Sequence, residues 1–183
     1  GNVVFVHDED PDVLELFDEG ELASILINFP TPFPKKKRAP RRLTYLDRLM
    51  KYRRVLEEGG TVRMRTDSTP FRDFSLTQLE LAGYKIEWET DDVRGMFPDE
   101  PWSGYERKLV AKGAPVVGFC AVPGPAPEHV EQTAPLSLVS YLPEDLENLD
   151  YLPFGMQGSI DNIVGYNANR RKKGLPDWRP PVV

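Results

Sequence analysis

The 183-residue chain has few of the residues that build common metal and nucleophile sites. Cys120 is its one cysteine, which excludes an internal disulfide and a cysteine-rich metal site. His7 and His129 are its two histidines, and each stands alone, which argues against histidine-based zinc binding or a histidine-centred triad. Long apolar runs are also missing, and the first residues lack a signal-peptide pattern. We therefore predict a cytoplasmic protein that makes no use of a membrane.

Positive charge is concentrated in one segment, although the net charge of the chain is −6. Ten of the 23 Lys and Arg residues lie between Lys35 and Arg54, where Asp47 is the only acid. A basic stripe on an acidic chain is typical of a protein that binds a polyanion. The alternative is that this stripe is only a solvated helix face.

Strand and helix patterns alternate over the first two thirds of the chain. The predicted strands cover residues 2–7, 22–28, 61–67, 84–92 and 114–122, and the longer predicted helices cover residues 41–58 and 68–83. This alternation predicts βαβ crossovers and a mostly parallel α/β sheet, with ligands at the carboxyl ends of the strands.

The composition and the periodicity of the sequence change from Pro123 onward. Residues 123–183 hold nine of the 18 prolines and show no clear periodicity before a short helix near residue 159, for which Ser159 is the expected cap. We therefore divide the chain into a domain at residues 1–122 and an extended C-terminal arm at residues 123–183.

The most distinctive motif is "NFPTPFPKKKRAPRRLT", residues 28–44, in which three closely spaced prolines stiffen a loop that leads into basic residues. It resembles the loop of the tRNA (guanine-N7)-methyltransferase family, which reads N-F-P-D-P-W-P-K-K-R-H-x-K-R-R-L. Two later segments, "RRLTYLDRLMKYRRVLEEGGTVRMRTD" and "SGYERKLVAKGAPV", are similar to the same family in the same order. The resemblance covers about residues 2–122.

The resemblance implies a Rossmann-like sheet that uses S-adenosylmethionine to methylate N7 of guanine, at position 46 of tRNA. It implies catalytic or guanine-binding roles for four residues: Thr31, Asp67, Ser103 and Glu106. It also implies that tRNA phosphates meet a basic set after the proline loop: Lys35, Lys36, Lys37, Arg38, Arg41 and Arg42.

Two departures from the family pattern bear on activity. Thr31 stands where the family has an aspartate, so a charged acceptor for the guanine is replaced by a hydroxyl. The glycine-rich E-x-G-x-G part of the donor site is not in this chain, which opens at what resembles the fourth strand of a seven-stranded sheet. On the donor side the resemblance leaves Glu9, in "HDED", and Asn28 as cofactor-binding candidates. Exposed acids that cap a short helix are the alternative interpretation of "HDED".

Two further functions stay open at this point. Thr31 and the missing glycine loop also fit a non-catalytic tRNA-binding or assembly module, or a pseudo-enzyme whose arm docks a protein partner. The first strand, residues 2–6, is expected to pair with the 22–28 strand and to expose its other edge. We expect the arm, through "LSLVSYL" at residues 136–142, or a second copy of the chain in a homodimer to cover that edge.

Overall fold

The computed structural model describes residues 3–7 and 12–179, which form a four-stranded sheet with helices packed around it. The strands are β1 (Leu22–Asn28), β2 (Leu56–Thr66), β3 (Tyr84–Thr90) and β4 (Val117–Pro123). The helices are α1 (Val13–Leu16), α2 (Leu46–Val55), α3 (Thr69–Leu81), α4 (Val93–Met96), α5 (Gly104–Val110) and α6 (Gln157–Lys172). Two 3-10 helices lie at Lys36–Arg41 and Leu138–Tyr141.

The strands are arranged in the order β1-β2-β4-β3. β1 and β2 are parallel, and β4 runs antiparallel to both of its neighbours, so β1, β2 and β3 share one direction. The predicted α/β class is therefore confirmed, and the sheet agrees with a Rossmann-like methyltransferase fold, although only one of its three strand pairs is parallel. Asn28 lies opposite Arg65, so the carboxyl ends of β1 and β2 meet at one edge of the sheet.

Helices α2 and α3 cover the sheet with apolar faces. α2 buries Leu46, Leu49, Tyr52 and Val55, which recur every three residues and so lie on one side of the helix. α3 begins where its sequence predicts, with Ser68 as the N-cap residue and a proline in the first turn. The buried aromatic and aliphatic side chains of both helices join those of β2 and β4 in one core.

The helix predicted over residues 41–58 is wrong at both ends. Residues 36–41 form a 3-10 helix, and α2 ends at Val55 because the chain enters β2 at once. Gly59 has a φ of +78° and lies in the part of β2 where the pairing with β1 shifts register. The glycine therefore serves a strand irregularity and does not stop the helix.

The predicted first strand is also wrong. Val3–His7 form no strand, and Val4 and Phe5 are 85% and 94% exposed, so no neighbouring strand covers this segment in the described part of the chain. β-branched residues favour a strand only where a partner is present to pair with. The bare edge belongs instead to β1, where Leu26 is 62% exposed. The homodimer predicted through residues 2–6 stays a prediction.

The segment after β4 packs onto the core instead of adding a strand. Leu138, Met156 and Ile160 are buried in the same cluster as the helices of the sheet. "LSLVSYL" forms the second 3-10 helix, beside α3, so its predicted addition to the sheet is wrong. α6 is 16 residues long and follows Met156, so the predicted cap Ser159 lies inside the helix. The division of the chain at residue 122 remains a prediction.

Candidate functional site

Three of the predicted site residues line one cavity of about 240 Å³ at the carboxyl end of β1. They are Asn28, Ser103 and Glu106, which come from a strand end and from the start of α5. The remaining lining residues include two arginines of β2 and an aromatic residue: Arg63, Arg65 and Phe29. The site predicted from separate motifs is thus assembled in part at one place.

Ser103 and Glu106 are positioned by the cap of α5. The hydroxyl oxygen of Ser103 accepts a hydrogen bond from the backbone amide of Glu106 at 3.0 Å, which is the N-cap arrangement for a serine. This bond fixes the first turn of α5 and directs the Glu106 side chain inward, where the residue is 1% exposed. The family-like "SGYE" segment therefore has a structural role in this chain as well as a predicted catalytic one.

Glu106 is compensated by arginine side chains. Arg94, from α4, donates to one of its carboxylate oxygens, and Nη1 of Arg65 lies 3.9 Å from the other. Glu100 forms ion pairs with both Arg65 and Arg63, and Nη1 of Arg63 lies 2.6 Å from its Oε1. Although burial opposes it, these two arginines lower the pKa of the Glu100 carboxyl. The result is a network of two acids and three arginines beside the cavity.

Strand β2 supplies two members of this network, because its side chains alternate between the two faces of the sheet. Arg63 and Arg65 lie two residues apart and point to one face, while Val62 and Met64 are fully buried on the other. The guanidinium of Arg63 lies over the ring of Trp88 at 5.0 Å. The pattern R-M-R in a predicted strand is a signal that would have indicated these residues.

The proline loop after β1 is strained and ordered. Phe29 and Phe33 have φ angles of +48° and +43°, which few residues other than glycine adopt. The amide of Phe29 donates to the carbonyl of Arg65 at 2.8 Å, and its ring meets that of Tyr105 edge to face, with centroids 5.7 Å apart. Strained backbone of this kind persists only where surrounding contacts hold it, and it is common at functional sites.

Arg42 holds this loop from inside, so its predicted contact with RNA is wrong. The residue is fully buried, and its guanidinium donates to the carbonyls of Pro32 at 3.0 Å and Phe33 at 2.8 Å. It also lies 4.2 Å from the centre of the Phe74 ring. Burial lowers its pKa to about 10, which still leaves it charged at neutral pH. A phosphate in solvent cannot reach a side chain in this position.

The other five basic residues of the segment are exposed. They are Lys35, Lys36, Lys37, Arg38 and Arg41. Thr31 is exposed as well, and it lines a cavity of about 360 Å³ whose other residues come from the proline loop, the basic segment and the arm. The structure therefore places Thr31 on a cavity other than the one lined by Ser103 and Glu106.

Asp67 lies on another cavity, of about 750 Å³, at the carboxyl end of β2. One wall is formed by Thr69, Pro70 and Asp73 at the start of α3, and another by arm residues that include Tyr151. Asp67 is 8% exposed, and its Oδ2 accepts a hydrogen bond from the Tyr151 hydroxyl at 2.6 Å. No signal in the sequence indicated this partner.

Glu9 lies outside the described residues, so its predicted contact with the cofactor stays a prediction. In the described ranges, no cluster of three or more potential ligands suits a metal ion. Within the same ranges, every helix is too short or too polar to cross a membrane.

Comparison with known proteins defines the class of the chain. Residues 1–119, which contain β1 to β3 and the first three residues of β4, match the family model described as a putative methyltransferase. Together with the sheet order and the residues at the strand ends, this match shows an α/β domain of the methyltransferase class.

Curated relatives give the particular family. The tRNA (guanine-N(7)-)-methyltransferase of Geobacillus kaustophilus is 35% identical over 113 residues, which are 61% of this chain and 52% of the relative. That of Limosilactobacillus reuteri is 32% identical over 122 residues, or 66% and 57% of the two chains. The chain therefore belongs to the tRNA (guanine-N7)-methyltransferase family, and it spans about half the length of the curated relatives it matches.

Proposed function

We propose that the full-length protein transfers a methyl group from S-adenosylmethionine to N7 of guanine in tRNA, at position 46. The observation that carries the proposal is that the carboxyl ends of β1 and β2 meet at one edge of the sheet and each borders a cavity, the first lined by Asn28 and the second by Asp67. An exposed basic segment follows β1 in the chain. Such an arrangement offers polar groups for a base and positive charge for the phosphates around it. The names of the relatives support methylation of guanine N7 in tRNA, and position 46 rests on the family resemblance.

The reaction requires the protein mainly to position the guanine base against the methyl group. N7 of guanine carries a lone pair and attacks without prior loss of a proton, so catalysis consists of holding the base in line with the methyl group. The carboxylates of Asp67 and Glu106 suit hydrogen bonds from guanine N1–H and its amino group. They line separate cavities, and we assign the base contact to Asp67, because the Glu106 carboxylate is already engaged by arginines.

The described residues fit one side of a donor site. Asn28 presents an exposed side-chain amide next to the ring of Phe29, which suits the polar and cationic parts of S-adenosylmethionine. The cavity, at about 240 Å³, is smaller than the 300–1,000 Å³ that small-molecule sites typically occupy, so these residues would hold only part of the donor. When bound, the donor supplies an electrophilic methyl group.

The experiment that tests the proposal measures methyl transfer directly. Full-length protein is incubated with a tRNA transcript and S-adenosylmethionine that carries a labelled methyl group, and the digested RNA is separated by mass spectrometry. We expect label in 7-methylguanosine, and no label in a transcript whose guanine 46 is replaced by adenine. Label in the altered transcript would contradict the position, and absence of label from both would contradict the activity.

Thr31 favours a second candidate, a tRNA-binding module without catalysis. Its exposed hydroxyl replaces the charged acceptor of the family loop. In this case the protein binds the transcript in a salt-dependent manner, and no 7-methylguanosine appears. Restoring the acid with Thr31→Asp separates the two candidates, because the change increases the rate of an impaired enzyme and gives a module no activity.

A further inference from the structure

The C-terminal arm reaches the candidate base-binding acid. Tyr151 lies 84 residues after Asp67, and its hydroxyl donates to Oδ2 of that carboxylate at 2.6 Å. Tyr151 also lies outside residues 1–119, the part of the chain that matches the methyltransferase family model. The contact is thus an addition that the matched segment does not contain.

The arm around Tyr151 is fixed by its own packing. Tyr141 meets the ring of Phe74 edge to face, with centroids 5.9 Å apart, and the amide of Leu138 donates to the carbonyl of Pro34 in the proline loop at 3.1 Å. On the other side of Tyr151, Met156 is fully buried in the core. The tyrosine therefore lies between two anchored points, so the position of its hydroxyl is constrained.

We propose that Tyr151 is a positioning residue that orients the Asp67 carboxylate for hydrogen bonding to the guanine base. The proposal rests on the methyltransferase function proposed above. It makes the arm a functional part of the base site, since the groove of about 750 Å³ beside Asp67 has one wall from α3 and another from the arm.

The chemistry of the pair supports positioning over blockage. A carboxylate has about four lone-pair positions, so a single hydroxyl donor leaves most of them available to a base. A tyrosine is neutral, so it fixes the carboxylate without cancelling its charge. Among the ion pairs of residues 3–7 and 12–179, none involves Asp67, whereas Glu106 has arginine partners. Burial, and to a smaller extent the bond to Asp67, raises the pKa of Tyr151. The hydroxyl is therefore protonated at neutral pH and can donate this hydrogen bond.

The test is a double-mutant cycle on tRNA methylation by the full-length protein. The variants are Tyr151→Phe, Asp67→Asn and the two combined, and Tyr166→Phe is the matched control because it removes an exposed tyrosine hydroxyl elsewhere in the arm. Each is measured for kcat, KM for tRNA and free energy of unfolding. We expect Tyr151→Phe to lower kcat about tenfold with KM for tRNA little changed, and to lower the free energy of unfolding by about 1 kcal/mol, as one lost hydrogen bond would.

The combined variant distinguishes a positioning role from an independent one. If Tyr151 acts through Asp67, the combined variant is no slower than Asp67→Asn alone. Multiplied losses, an equal loss in Tyr166→Phe, or a faster Tyr151→Phe enzyme would each overturn the proposal. A full-length parent without methylation would contradict the proposed function itself, whereas an active parent with an unaffected Tyr151→Phe variant would contradict only the role of Tyr151.

Discussion

Two buried carboxylates of the molecule, Glu106 and Asp67, are stabilised in different ways. Glu106 lies among arginines of β2 and α4, inside the segment that matches the methyltransferase family model. Asp67 is held by the hydroxyl of Tyr151, which comes from the arm. The first acid is compensated by arginine side chains, whereas the second has a neutral hydrogen-bond partner, and we propose that it contacts the guanine base. Burial of an acid alone therefore does not distinguish a structural role from a functional one.

The largest expected effect on stability comes from removing the main partner of Glu106. Arg94→Met leaves that carboxylate 2% exposed and dependent on Arg65 at 3.9 Å. Breaking a buried ion pair costs about 3–5 kcal/mol, and we expect a loss of about 3 kcal/mol in the free energy of unfolding, measured with urea. Arg107→Met, in the exposed part of α5, is the control and should change it by less than about 0.5 kcal/mol. Equal losses would show that Glu106 does not depend on Arg94.

Arg42 and Arg41 are adjacent in sequence, but Arg42 is buried against the proline loop and Arg41 is exposed. Arg42→Met removes a charged donor from the loop carbonyls and should lower the free energy of unfolding by about 2 kcal/mol, with no change in the salt dependence of tRNA binding. Arg41→Met should leave unfolding unchanged and reduce the salt slope. The opposite result for either variant would mean that the buried and exposed roles are assigned to the wrong residue.

The exposed lysines provide a smaller effect of the same kind. Lys36→Ala and Lys37→Ala should each reduce the slope of log K against log salt by about 1, because each removes one phosphate contact. Lys85→Ala, an exposed lysine of β3, is the control, and its slope should equal that of the parent. Parental slopes in all three variants would show that the basic segment does not contact the RNA.

The smallest expected effect concerns the pH dependence of the Tyr151 contact. Because burial and the bond to Asp67 raise the pKa of this phenol above its ordinary value of 10.0, the neutral form is favoured in the folded state. Its contribution to stability is complete below pH 10 and declines as the pH rises beyond that value. The difference in unfolding free energy between the parent and Tyr151→Phe should therefore shrink above pH 10. A difference that is constant from pH 8 to 11 would contradict the contact.

Much of the sheet could be predicted from the sequence, because its signals are local. β1 and α3 follow from an apolar run and from the Ser68–Pro70 start, and the R-M-R pattern of β2 contains two of the three arginines of the network. The wrong predictions concern features that depend on residues distant in the sequence. Val3–His7 look like a strand but have no partner in the described residues. The burial of Arg42 depends on loop carbonyls about ten residues away, and nothing local distinguishes it from the equally basic Arg41.

The hydrogen-bond partner of Asp67, Tyr151, was the least predictable residue of the candidate site. It is separated from that acid by 84 residues of sequence, and it belongs to a proline-rich segment without periodicity. No local pattern fixes the path of such a segment, so packing of the arm on α3 decides which side chain meets the carboxylate. The family resemblance indicated the acid itself, because Asp67 lies in a short motif at the end of β2.

The most direct test of the contrast between the two acids is the single-turnover rate of tRNA methylation by full-length Asp67→Asn, measured together with its unfolding by urea. We predict a rate about 100-fold below that of the parent, which corresponds to about 2.7 kcal/mol of transition-state stabilisation. Its free energy of unfolding should remain within about 1 kcal/mol of the parent value, since the oxygen of a neutral amide can still accept a hydrogen bond from the Tyr151 hydroxyl. A parental rate, or a loss of stability as large as that of Arg94→Met, would contradict the account.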